Sequence, residues 1–249
     1  MRWFIGDVHG CRAELEEILE RIAREDSAPE LHCTGDVIGK GPDIPGALAL
    51  VEKEGIRAVL GNHEAWLLRK AEILRENPAA LDEKQRGDLA LYGENLGRAV
   101  DFVRSWPLWR EWPDLVLVHA GLQPGVDRLE EMDPRCLLAI RTWGGSPERM
   151  WEVDAPEKAW FNLVRWPKTV VFGHWAYRMP EPPPGFVGLD TGCVYGGALS
   201  AWCAEENRRI SVPARAQYAA KNAPRGSVPG AKYRRLGASA LFAMTNLSR

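Results

Sequence analysis

The sequence lacks most of what marks an exported or membrane-embedded chain. Its five cysteines, Cys11, Cys33, Cys136, Cys193 and Cys203, are odd in number and widely spaced, with no Cys-x-x-Cys pair. That argues against a disulfide framework and for a reducing compartment. No apolar run approaches the length of a membrane span. No secretory leader is expected, because Asp7 interrupts the short apolar start. A cytoplasmic location and no membrane partner are the expectation. There is no internal repeat. Acid is missing from one end: all 34 acidic residues lie at or before Glu206, and residues 213–249 hold seven Lys or Arg instead.

What is present is a chain of 249 residues, 45% hydrophobic and 27% charged, long enough to bury a sizeable core. Residues 1–212 carry 25 Lys or Arg against all 34 acids, a net −9, and read as one domain. Residues 213–249 read as a basic extension of net +7, solvated or docked on the acidic body. Nothing firm points to nucleic acid, and no oligomeric state is legible.

Short apolar runs alternate with helical patterns. Leu15, Ile18, Leu19 and Ile22 keep helical spacing. A strand enters Asp36, a helix is predicted near 45–54 and a strand over 56–60. This β-α-β-α-β order implies a parallel sheet with helices on its faces, an α/β fold. Residues 64–104 read as mostly helical, interrupted at Asn77-Pro78. Strands are predicted over 115–118, 170–172, 186–189 and 198–203, and short helices over 134–140 and 156–164.

Four of the five histidines sit in glycine-flanked turns after such runs: Gly6-Asp7-Val8-His9-Gly10, Gly61-Asn62-His63-Glu64, His119-Ala120-Gly121 and Gly173-His174-Trp175. Gly35-Asp36-Val37-Ile38-Gly39-Lys40-Gly41-Pro42 lies between the first two. Carboxylate and amide oxygens mixed with imidazoles suit Mn, Fe, Co, Ni or Zn better than Ca. Asp7 and His9, alternate residues at a strand end, can chelate one metal with Asp36. Asp36 can bridge to a second ion completed by Asn62, His119 and His174. Two such cations acidify a bridging water and neutralise a phosphoryl group under in-line attack. His63, next to a ligand, should project elsewhere and protonate the leaving oxygen. Lys40 and Arg141 are candidate phosphate clamps. For Arg141 a plain surface arginine is an equal reading. His32 has no glycine turn and reads as structural. Trp175 and Trp143 lie near motifs, and base stacking is a secondary reading for them.

These motifs resemble the calcineurin-like metallophosphoesterases, whose pattern of Asp-x-His, Gly-Asp, Gly-Asn-His-Asp/Glu and two later His motifs is matched over about residues 1–205. The resemblance implies a four-layer αββα sandwich and a di-metal hydrolase, with two divalent transition-metal ions and Mn2+ first among them. Gly35 to Pro42, Phe172 to Ala176 and Leu189 to Gly197 resemble the symmetrical bis(5′-nucleosyl)-tetraphosphatases. That implies attack of a metal-bridging hydroxide on a phosphoanhydride in a dinucleoside polyphosphate, Ap4A giving two ADP. Eukaryotic protein phosphatases carry Asp and Arg where this chain has Gly39 and Lys40. A bacterial-type phosphatase acting on Ser, Thr or Tyr phosphate of a phosphoprotein is the alternative. An inactive metal-binding regulatory protein is a third reading, against which the intact ligand set argues.

Overall fold

Strand β1 (Arg2–Ile5) shows why the fold is layered. Phe4 points to one face and Trp3 and Ile5 to the other, and all three are fully buried. Both faces of the strand therefore need cover. The computed structural model, which describes residues 1–150, 155–176 and 179–220, covers one face with a second sheet and the other with helices.

The first sheet has β1 at its centre, flanked in parallel by β2 (Glu30–Cys33) and then β3 (Arg57–Ala58). On the other side β8 (Ala198–Cys203) and β9 (Arg208–Pro213) run antiparallel. The second sheet has the order β4 (Trp109–Glu111), β5 (Leu115–Val118), β6 (Thr169–Phe172), β7 (Phe186–Gly188), with β5, β6 and β7 parallel. Phe4 and Trp202 of the first sheet meet Leu115, Leu117 and Val171 of the second in one apolar cluster. Val116 and Val118 face the other way, so β5 is buried on both sides.

Helix α1 (Arg12–Glu25) buries Leu15, Ile18 and Ile22 beside Trp3 and Ile5, and packs on α2 (Ile44–Lys53), β8 and β9. Against α3 (Asn62–Glu76) pack both α4 (Glu83–Ala90) and α5 (Leu96–Arg104). Helices α6 (Pro134–Ala139) and α7 (Trp160–Leu163) lie near β5 and β6, with the Trp160 ring edge-on to Phe172 at 5.1 Å. The architecture is the mixed α/β sandwich of two sheets and covering helices that the motifs imply.

Three details differ from the sequence reading. Of the strand predicted over 56–60, only Arg57–Ala58 pairs with β2, and the Leu60 N–H instead donates to Pro107 O (2.8 Å). Strand β4, Trp109–Glu111, forms between Trp106 and Trp112, where no strand was predicted. Strand β9 was not predicted: its exposed Arg209 and half-buried Arg208 hide the alternation that buries Val212, as an edge strand allows. The expected boundary at 212 falls within β9. Beyond it, Arg215 N–H and Tyr218 Oη–H donate to Glu14 of α1, both at 2.8 Å. The basic extension over 221–249 lies outside the described residues. None of the described helices is long and apolar enough to cross a membrane.

His32 is structural in the way expected. It is buried between the sheets, stacked 5.0 Å from Phe4, edge-on to Trp112, with Nε2 3.1 Å from Glu30 Oε1. Trp175 is buried against Phe161, so it belongs to the core and not to a base-stacking face.

The inter-sheet cluster makes the fold's stability sensitive to Phe4. Phe4→Ala should lower the unfolding free energy in urea by about 3–5 kcal/mol, whereas Leu91→Ala, on an exposed side chain, should change it by less than ~0.5 kcal/mol.

Candidate metal centre

The glycine turns leave the carboxyl ends of parallel strands in both sheets, where α/β sheets collect ligands. From the first sheet come Asp7 and His9 after β1, Asp36 after β2 and Asn62 after β3. From the second come His119 after β5 and His174 after β6. Three of these six, His9, Asp36 and His174, have left-handed backbone, with φ of 50°, 47° and 64°. Such a conformation costs a non-glycine residue about 1–3 kcal/mol and persists only where its surroundings over-determine it. Here they do. His9 N–H donates to Asp36 O (2.8 Å), Gly41 N–H to His9 O (2.6 Å), and His174 N–H to Asp7 Oδ2 (2.9 Å). The glycine before His174 is required by space: a Cβ on Gly173 would lie 1.9 Å from Asp7 Oδ1.

The side chains converge on Asp36. Its Oδ2 is 3.7 Å from His9 Nε2, and its Oδ1 is 3.5 Å from His119 Nε2 and accepts the His63 N–H at 2.9 Å. Asn62 Oδ1 lies 3.0 Å from His119 Nε2 and 2.8 Å from His174 Nδ1. Asp7 Oδ1 accepts the Thr34 hydroxyl at 2.7 Å. Two groups of donors result, His9–Asp36–His63 and Asp36–His119–His174, each with its ligand atoms within 4.8 Å of one another. Asp36 belongs to both. His63, sent elsewhere by the sequence reading, stays beside this set, its ring 4.9 Å from that of His9.

The donors fit a cation. His119 Nδ1 faces Thr34 O at 2.8 Å, and a carbonyl only accepts, so Nδ1 carries the proton. In that tautomer the bare Nε2 faces the oxygens of Asn62 and Asp36, three electron pairs with no proton between them. His9 Nδ1 is likewise turned to Ile38 O (3.3 Å), and His174 Nε2 is buried with no hydrogen-bond partner. Divalent cations, one in each of the two donor groups, would satisfy these atoms.

Electrostatics points the same way. Burial, then Asp190 and Asp36, push the Asp7 carboxyl well above the usual range. Burial also raises Asp36, but His119, His63 and His9 outweigh it and hold that carboxyl below its ordinary value. Burial pushes His9 and His174 well down, and His63 down to about 4.

Lys40 is exposed at the edge of the site, its Nζ 2.5 Å from Tyr195 Oη, and its charge is felt by His9, His63 and His174. Arg141 is not a surface residue apart from the site: its Nη2 donates to His174 O (3.2 Å), and its Nε is buried without a partner.

Four residues escaped the sequence reading. Asp190, buried and raised by burial and by Asp36, follows β7 with Gly192 two residues on, the same strand–Asp–glycine signal as the others. Tyr195 holds Lys40. Thr34 orients Asp7 and His119. Glu64 accepts the N–H groups of Asp36 (2.8 Å), Ile38 (3.0 Å) and Gly61 (3.1 Å). No sequence pattern marks Thr34 or Tyr195.

Residues 2–180 match the calcineurin-like phosphoesterase family. The chain belongs to that family. It is a hydrolytic enzyme, and the family implies divalent metal ions. Curated relatives called "Bis(5'-nucleosyl)-tetraphosphatase, symmetrical" include one from Shewanella sediminis (strain HAW-EB3), 29% identical over 84% of this chain and 96% of its own length. Another, from Erwinia tasmaniensis, is 28% identical over 86% of this chain and 97% of its own. Among solved structures, one described as "Crystal structure of a putative diadenosine tetraphosphatase" has a TM-score of 0.68 at 30% identity, covering 85% of this chain and 92% of that one. A Saccharomyces cerevisiae protein serine/threonine phosphatase shares the fold, with a TM-score of 0.51 at 14% identity over 90% of this chain and 81% of that one.

Glu64 gives this calcineurin-like site its sharpest stability test. Glu64→Ala leaves three buried N–H groups without an acceptor. At about 1–3 kcal/mol for each such group, urea unfolding should show a loss of at least ~3 kcal/mol. Glu64→Gln keeps an acceptor oxygen and should lose less.

Proposed function

We propose that this phosphoesterase hydrolyses a phosphoanhydride of dinucleoside polyphosphates, converting Ap4A to two ADP. The observation that carries the choice of substrate is the space around Gly39. A Cβ there would lie 2.4 Å from His9 Nδ1 and 3.0 Å from His63 Nδ1. A side chain here would have to displace His9, so the close packing favours glycine and supports a site without the Asp of the eukaryotic protein phosphatases. Curated relatives that match most of both chains are called symmetrical tetraphosphatases, which supports the same reading.

Asp7, His9 and Asp36 would hold one ion, and Asp36, Asn62, His119 and His174 the other, with Mn2+ the first choice. When bound, the ions supply an acidified water and neutralise charge on the phosphoryl group. The chain's own groups do the rest. Arg141, with a buried N–H lacking a partner, and Lys40, at the edge, bind phosphate oxygens. His63 delivers a proton to the leaving oxygen. Burial holds its ring neutral near pH 7, and the negative charge of a bound polyphosphate restores the proton.

With Mn2+, Ap4A should give ADP alone by chromatography. ATP plus AMP would reject the symmetrical cut, and faster turnover of a phosphopeptide than of Ap4A would make the enzyme a protein phosphatase.

His63→Ala should keep its ions and lose roughly 10²–10⁴-fold in kcat on Ap4A. The loss should shrink on p-nitrophenyl phosphate, whose leaving group needs little protonation. Equal losses on both would remove the acid role.

A further inference from the structure

We propose that Cys11, Glu14 and Cys193 form a separate site for a thiophilic divalent cation of the Zn2+ type, distinct from the Asp36 centre. Cys11 is the N-cap of α1 and Glu14 lies three residues on, so both side chains share the first turn of one helix face. Cys193 reaches them from the glycine-rich loop over 190–197. The two sulfurs and one carboxyl oxygen lie within 4.8 Å of one another, and all three residues are buried. Around a tetrahedral zinc, with bonds of about 2.0–2.3 Å, donor atoms stand roughly 3.5–4 Å apart. The three donors need only a small contraction to reach that spacing, leaving the fourth position to a solvent molecule.

The carboxyl is used on one side only. Oε1 accepts from Arg215 N–H and Tyr218 Oη–H, whereas Oε2 is buried with no hydrogen-bond partner. An oxygen held in that way is expensive to bury and is relieved by a cation. The donors on Oε1 fix the carboxyl as the outer partners of metal ligands do. Hydrogen-bonded to Cys11 and buried, the Cys193 thiol is pushed up, so without an ion Cys193 keeps its proton. On binding, those protons leave to solvent and the thiolates take the metal. The N–H groups of α1's first turn favour negative charge at Cys11. Sulfur selects a softer ion than the imidazoles and oxygens around Asp36 do. The bound ion would join α1, which starts two residues after Gly10, to the loop that carries Asp190 and Tyr195.

The test uses the reduced full-length protein produced in Co2+-supplemented medium, so that a buried site fills during folding. A thiolate-to-cobalt charge-transfer absorption is expected in the near ultraviolet, which the nitrogen and oxygen donors around Asp36 cannot produce, and added Zn2+ should bleach it. Cys11→Ala and Cys193→Ala should each abolish the band, and Cys33→Ala, Cys136→Ala and Cys203→Ala should keep it. These last three assign the band by elimination even if the first two variants do not fold. Tyr218→Phe should keep the band and weaken cobalt binding roughly 10–100-fold. Asp36→Asn should keep it whatever happens to phosphatase activity, so the two proposals fail independently. No band in the wild type at saturating cobalt, or a band that survives Cys193→Ala, overturns the site.

Discussion

The centre depends on keeping one carboxylate, Asp36, buried where the edges of two sheets meet. Burial alone would neutralise it. The imidazoles of His119, His63 and His9 around it lower its proton affinity, and the His63 N–H donates to its Oδ1. Its backbone is forced into a left-handed turn whose N–H is bound by Glu64, and Glu64 also binds the N–H groups of Ile38 and Gly61. One buried glutamate thus ties the second motif to the third. Asp7 does the equivalent for the last motif, accepting the His174 N–H while Thr34 holds its other oxygen.

This arrangement explains why the motifs are rich in glycine. The strand ends are packed so closely that the turns of one motif touch the ligands of another, and a Cβ at Gly173 or Gly39 would collide with Asp7 or His9. The strain at His9, Asp36 and His174 is held by hydrogen bonds between motifs, so a metal meets donors that are already placed. Much of the conformational cost of binding has then been met on folding.

Charge at the mouth differs from charge in the floor. Asp36 raises the proton affinity of both Asp7 and Asp190, and Asp190 that of Asp7, while Lys40 and Arg141 stand at the edge and beside His174. A floor of carboxyls under a basic rim suits cations below and phosphate above. In the body as a whole acid exceeds base, so on the proposed reading polyphosphate would be drawn in by these local cations and by bound metals rather than by net charge.

Much of the site was legible in the sequence because each turn carries a local mark, a short apolar run followed by glycine and Asp, His or Asn. The parallel β-α-β start and the strand over 198–203 were legible for the same reason: periodicity is a local property. Tertiary structure decided what has no local mark. It turned His63 toward His9, seated Arg141 against the His174 carbonyl and brought Tyr195 to Lys40 across 155 residues. It also moved Trp175 into the core, and gathered Cys11 and Cys193 on Glu14 although their spacing suggests no pair. The sequence by itself determined which side chains are available at the strand ends. Which of them meet follows from the packing of two sheets face to face, because only that packing brings the carboxyl ends of β1, β2 and β3 to those of β5 and β6.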